Sequence, residues 1–137
     1  KEYFVERNNV EEMLLKFSLK KKIPVLGVCR GMQMILSFFK NNIIKLDNHV
    51  GTRHQLNIIN RSIFANLFNE KHVVNSFHKF GIKKLNKPFI TIAKSNDGVI
   101  EAIKHIDHEV YGIMWHPERE IPFNKSDLSI MKLIFRC

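Results

Sequence analysis

A cysteine with a glycine two residues away on either side, Gly27-Val28-Cys29-Arg30-Gly31, and a histidine followed two positions later by a glutamate, His116-Pro117-Glu118, have the residue types for covalent chemistry. A thiol attacks an amide carbonyl well only when a base takes its proton, and the base needs a partner to orient it. Side chains at i and i+2 of an extended segment point the same way, so Glu118 can reach the far nitrogen of His116. Pro117 stiffens the segment between them. Taken alone, His-Pro-Glu also reads as an ordinary turn ending a strand.

The flanks of the cysteine decide how it is presented. Ile23 to Val28 is a short apolar run with β-branched residues, which predicts a buried strand. Met32 to Lys40 has the length and residue types of a helix. A strand that turns at once into a helix strains the corner residue and crowds it, so small neighbours are needed. That is the logic of a nucleophile elbow, with cysteine in the serine position. The helix N-terminus beside the sulfur favours thiolate, so Cys29 is expected to fall below the ordinary thiol value of about 8.5. On that expectation iodoacetamide labels Cys29 before Cys137 near neutral pH. The plainer alternative is a buried cysteine in a common strand–turn–helix unit.

The remaining elements follow from pattern. Val10, Met13, Leu14 and Phe17 recur at helical spacing, with acidic residues early and Lys20 to Lys22 at the end, in the order a helix dipole prefers. Asn41 to Leu46 predicts a turn and short strand, and Asn48 to His54 a polar loop bordering a cleft. The loop's His49 and His54 have no third ligand near them in sequence, so no metal site is assigned. Gln55 to Ile59 reads as a strand and Ser62 to Phe68 as a short helical turn. A strand beginning near Lys71 runs into polar residues at Asn75 to His78. Ile90 to Lys94 and Val99 to Ile103 flank the turn signal Asn96-Asp97-Gly98, which predicts a hairpin. Val110 to Trp115 is a last apolar strand. Asp127 to Phe135 is a helix with Ser126 or Asp127 as its cap.

Composition sets the outer limits. The chain of 137 residues, 45% hydrophobic and 26% charged, reads as one soluble globular domain over 1–137. No apolar run reaches the roughly 20 residues of a membrane span, and no secretory signal opens the chain. Its two cysteines make no disulfide framework, so a reduced, cytoplasmic setting is expected. A net charge of +9 favours an anionic partner or substrate. The lysines are scattered and form no nucleic-acid-binding pattern, which argues against a nucleic-acid partner.

Three segments together resemble the class I glutamine amidotransferases and their γ-glutamyl hydrolase relatives: Gly27-Val28-Cys29-Arg30-Gly31-Met32-Gln33, Val74-Asn75-Ser76-Phe77-His78 and Gly112-Ile113-Met114-Trp115-His116-Pro117-Glu118. The resemblance runs from the first helix to the last. It implies a three-layer α/β sandwich of flavodoxin-like type with a mainly parallel central sheet. It also implies that Cys29 is the nucleophile, His116 the base and later acid, and Glu118 its orienter. Arg30, Gln33 and Asn75, Ser76, Phe77 and His78 are the implied substrate-binding residues, with no cofactor. The family carries a Gly-rich loop upstream of the first helix that supplies one oxyanion N–H. Nothing here matches that loop, so the chain is expected to be the C-terminal portion of a longer domain without its N-terminal strands. The N–H of Arg30 remains as the other donor.

Within the family, the segments around Cys29, His78 and His116 look most like the γ-glutamyl-CDP-amidate hydrolases of bacterial capsule phosphoramidate synthesis. That resemblance implies a small γ-glutamyl substrate linked to a nucleotide, hydrolysed through a γ-glutamyl thioester. One alternative is a glutaminase that passes ammonia to a synthetase partner. Another is an inactive family fragment serving as an interaction module.

Overall fold

A computed structural model describes residues 2–64 and 72–137. Helix α1, Glu2–Lys21, ends where Lys22 takes φ 57° and the Ile23 N–H reaches back to the Ser18 carbonyl. That is a Schellman closure, in which a left-handed residue lets the chain recover a free helical carbonyl. The chain then enters β1, Val25–Val28, and after Cys29 becomes α2, Arg30–Phe38. Short strands β2, Ile44–Lys45, β3, Val50–Gln55, and β4, Asn57–Ile58, follow, and a 3₁₀ turn covers Arg61–Phe64. The rest of the turn expected over 62–68 lies outside the described residues. Then come β5, Val73–Phe77, β6, Phe80–Gly81, β7, Phe89–Lys94, β8, Ile100–His105, and β9, Val110–Ile113. A 3₁₀ turn at Pro117–Arg119 and helix α3, Lys125–Phe135, complete the chain.

The central sheet has the order β1-β9-β8-β7-β4. It is mixed: β1 runs parallel to β9, while the β9–β8, β8–β7 and β7–β4 pairs are antiparallel. The predicted hairpin is the β7–β8 pair, and Gly98 at its turn takes φ 83°. Alternation along β9 builds the expected three layers. Val110 and Met114 join Leu15 of α1 and Met32, Ile35 and Leu36 of α2 in one core. Tyr111, Ile113 and Trp115 join Ile130 and Ile134 of α3 in the other. Trp115 Nε1 also donates to Asp127 Oδ1 at 3.0 Å, tying the end of β9 to the start of α3.

Several expectations are corrected. Helix α1 forms, but Val10, Met13, Leu14 and Phe17 are exposed, and Leu15 and Leu19 on another face make the packing. Residues 50–55 form a strand rather than a loop, paired antiparallel with β5, with a bulge at Gly51 (φ 67°). Its inward residues are Thr52 and His54, so the two-residue period is carried by polar side chains and leaves no apolar signal. The run 55–59 breaks at the buried Leu56, so that Gln55 ends β3 and Asn57–Ile58 forms β4. Asn124, rather than Ser126 or Asp127, caps α3, its Oδ1 accepting from the Ser126 and Asp127 N–H groups.

Candidate active site

The elbow is present. Cys29 has φ 52° and ψ −101°, a backbone region that a residue with a side chain occupies only when its surroundings force it. Its N–H donates to the Ile113 carbonyl at 2.7 Å, extending the β1–β9 pairing by one residue, and its carbonyl accepts from the Gln33 N–H. The crowding falls on Gly27. A Cβ there would lie 2.7 Å from the Gly31 carbonyl carbon and 2.6 Å from Ile35 Cδ1, whereas a Cβ at Gly31 would meet nothing within 4 Å.

Cys29 and His116 follow the C-terminal ends of the parallel neighbours β1 and β9, where Val28 is in register with Ile113. Open α/β sheets bind their ligands outside that end of the strands. His116 Nδ1 and Glu118 Oε1 are 2.6 Å apart, within hydrogen-bond distance. With a proton on Nδ1 facing that carboxylate, the lone pair of the ring is on Nε2.

Asn75 grips the backbone of His116 on both sides. Its Nδ2 donates to the His116 carbonyl and its Oδ1 accepts the His116 N–H, each at 2.8 Å. The same amide donates to Glu120 Oε1, which also accepts from Arg53 Nη1 at 2.8 Å. Asn75 therefore sets the position of the histidine. Phe77 lies beside the His116 ring with centroids 6.1 Å apart, and the Arg119 guanidinium covers its face at 4.5 Å. Ser76 is fully buried, its hydroxyl donating to the His49 carbonyl. His78 is also buried and turns inward, toward His49, His54 and Glu101.

Arg30 and Gln33 lie on the other side of the elbow. They line a cleft of about 710 Å³ with Asn8, Glu12, Ser37 and Lys40, and neither Cys29 nor His116 is in its wall. Arg30 is held there by Glu11 Oε1 at 3.1 Å and Asn8 Oδ1 at 2.5 Å. Gln33 Nε2 donates to the Phe80 carbonyl at 3.0 Å.

The expected low thiol pKa is overturned. Burial pushes the Cys29 thiol above its ordinary value, outweighing the Arg30 N–H bonded to the sulfur and the nearby Arg119, while Glu101 and Glu118 push it further up. The resting cysteine is therefore a buried thiol, and its expected reactivity order reverses. Iodoacetamide at pH 7 should label the exposed Cys137 before Cys29, with Cys29 labelling rising only at alkaline pH. Peptide mapping over a pH series checks this; faster labelling of Cys29 near neutrality would contradict it.

Fold and site together define an α/β protein with an elbow cysteine and an oriented histidine at neighbouring strand ends. Residues 1–118 match the Peptidase C26 family, and the chain belongs to that family. It is 38% identical over 127 residues to a γ-glutamyl-CDP-amidate hydrolase from Campylobacter jejuni, covering 93% of this chain and 58% of that protein. It is 33% identical over 111 residues to a glutamine-hydrolysing GMP synthase subunit from Methanobrevibacter smithii, covering 80% of this chain and 56% of the relative. The chain thus spans somewhat over half the length of these relatives. A glutamine amidotransferase structure from Thermotoga maritima superposes with a TM-score of 0.72 at 19% identity, covering 93% of this chain and 55% of that one. The structure of a GMP synthase subunit from Thermoplasma acidophilum gives the same TM-score at 20% identity, covering 82% of this chain and 56% of that one. These two likenesses are of fold. No helix among the described residues is long and apolar enough to cross a membrane.

Proposed function

We propose that the chain carries the nucleophile and base of an enzyme that hydrolyses a γ-glutamyl amide, with a nucleotide-linked leaving group. The observation that carries this is the strained Cys29 corner after β1, with His116, bonded to Glu118, after the parallel neighbour β9. The buried thiol passes its proton to His116 Nε2 as the sulfur attacks the γ-carbonyl carbon. The resulting oxyanion takes the Arg30 N–H. His116 returns the proton to the leaving nitrogen, giving a γ-glutamyl thioester. It then deprotonates a water that attacks the thioester, releasing glutamate and restoring the thiol. An unliganded thiol is compatible with this route, because the proton moves within the Cys29–His116 pair during attack.

The nucleotide-linked substrate rests on the similarity to the Campylobacter jejuni hydrolase and on the net charge of +9. The Arg30–Gln33–Lys40 cleft beside the elbow is the proposed place for the anionic end of the substrate, with Phe77 at the reacting end. Ser76 and His78 contribute through the backbone they hold in place. A second reading, a glutaminase serving a synthetase, is supported by the similarity to the glutamine-hydrolysing GMP synthase subunit. Steady-state turnover by the intact protein separates the two. The hydrolase reading expects a γ-glutamyl nucleotide amidate to be cleaved at least about 10²-fold more efficiently than glutamine, a difference of about 2.7 kcal/mol in transition-state binding. Equal efficiency, or glutamine cleavage only with an added synthetase, would overturn it.

A further inference from the structure

Beside the proposed active site, four side chains from separate parts of the chain meet in the interior. His49 precedes β3, His54 lies on β3, His78 follows β5 and Glu101 lies on β8. Their ligating atoms all lie within 4.8 Å of one another. His49, His78 and Glu101 are buried, and His54 is largely so. His49 Nδ1, His54 Nε2, His78 Nε2 and both Glu101 carboxylate oxygens are shielded from solvent, and no hydrogen bond reaches them among the described residues. A cluster of buried polar atoms without partners is costly and calls for an explanation.

The outer nitrogens show what faces inward. His49 Nε2 lies 2.7 Å from Asp97 Oδ2 and His78 Nδ1 lies 3.1 Å from the Phe80 carbonyl. Both partners are acceptors, so a ring carrying one proton holds it on this outer nitrogen. The inner nitrogens then present lone pairs toward a carboxylate. Acceptors facing acceptors in a dry pocket are the donor set of a cation. A carboxylate or carbonyl behind a ligating imidazole is the usual support of a metal site.

We infer that His49, His54, His78 and Glu101 form a binding site for one divalent cation of the zinc type. The three edges that meet at Glu101 fit that size. Glu101 Oε1 lies 3.5 Å from His49 Nδ1, 3.6 Å from His54 Nε2 and 3.5 Å from His78 Nε2. A tetrahedron with metal–nitrogen bonds of about 2.0–2.1 Å has edges of about 3.3 Å. Three nitrogens and one oxygen in a closed shell suit zinc over magnesium or calcium, which prefer all-oxygen sites. Four protein ligands leave no open position, so the role is structural.

The ion would join the β3–β5 ribbon to the central sheet through Glu101. Ser76 Oγ and the His78 N–H both donate to the His49 carbonyl, so the ribbon already presents His49 in place. The same ribbon carries Asn75, which holds His116. The proposal does not rest on the hydrolase reading, because its readouts are metal content, spectrum and melting temperature.

The test uses the intact protein, stripped with a chelator and titrated separately with zinc and cobalt(II). One equivalent of zinc should bind per chain and raise the melting temperature. Cobalt should give the intense visible absorption of a tetrahedral site, with no variant needed. Glu101→Gln and His54→Ala should each lower zinc affinity by at least about 10²-fold, and Asp97→Asn by about 10–100-fold. His108→Ala, in the β8–β9 turn at the other end of β8 from Glu101, should leave binding unchanged. A stripped wild type that takes up no zinc, melts at the same temperature with and without it, and gives no tetrahedral cobalt spectrum would overturn the proposal. Zinc binding lost in His108→Ala but kept in Glu101→Gln would overturn it equally.

Discussion

Cys29→Ser and His116→Ala in the intact protein are each expected to reduce γ-glutamyl amide hydrolysis by about 10³-fold or more in kcat, with little change in KM. Serine fits the buried corner, but its hydroxyl is far less acidic than a thiol and forms an ester in place of the thioester. Alanine at 116 removes the group that takes the Cys29 proton and returns it to the leaving nitrogen, and burial holds that thiol protonated at neutral pH. The two losses should not add, because both residues serve one proton transfer. Glu118→Gln keeps an acceptor near Nδ1 but loses the charge that stabilises the imidazolium, so it should cost less than either. Circular dichroism and melting temperature should stay close to wild type in all three. Hydrolysis within tenfold of wild type by Cys29→Ser would remove the basis of the mechanism.

Gly27→Ala should damage both stability and activity although it adds one methyl group. The added carbon would sit 2.6 Å from Ile35 Cδ1, which can rotate away. It would also sit 2.7 Å and 2.8 Å from the carbonyl carbon and oxygen of Gly31, which move only if the first turn of α2 moves. Overpacking of this kind costs about 1–3 kcal/mol. Because Cys29 lies between the two glycines, the same shift displaces the sulfur, and a displacement of about 1 Å costs roughly 10²-fold in rate. Gly31→Ala is the control. It meets nothing within 4 Å and stands in a helix, where alanine is favoured over glycine by about 0.5–1 kcal/mol. Denaturant unfolding and turnover of the two variants should therefore diverge. Equal stability of Gly27→Ala and Gly31→Ala would contradict the account of the elbow.

What is legible in the sequence is what neighbouring residues determine together. The strand before Cys29, the helix after it, the Asn96–Gly98 hairpin and the His116–Glu118 pair are all local patterns, and each is present. What escapes depends on contacts between distant residues. The strand Val50–Gln55 hides its period because polar Thr52 and His54 face inward. His49 and His54 read as a lone pair because their companions, His78 and Glu101, come from segments further along the chain. The grip of Asn75 on both backbone groups of His116 joins residues 41 positions apart and has no local signal. The direction of the thiol pKa reads wrongly from sequence because the helix N-terminus is visible there, whereas the burial that outweighs it is a property of the packed core.

The central claim, that Cys29 carries the γ-glutamyl group during turnover, is tested most directly by trapping the intermediate. The intact protein is mixed with a γ-glutamyl amide, quenched in acid within one turnover and digested, and the peptides are weighed by mass spectrometry. The account predicts a γ-glutamyl adduct on the peptide containing Cys29, discharged by hydroxylamine and absent from Cys29→Ser treated alike. Product formed in the same time with Cys29 unmodified, or an adduct on another residue, would contradict it.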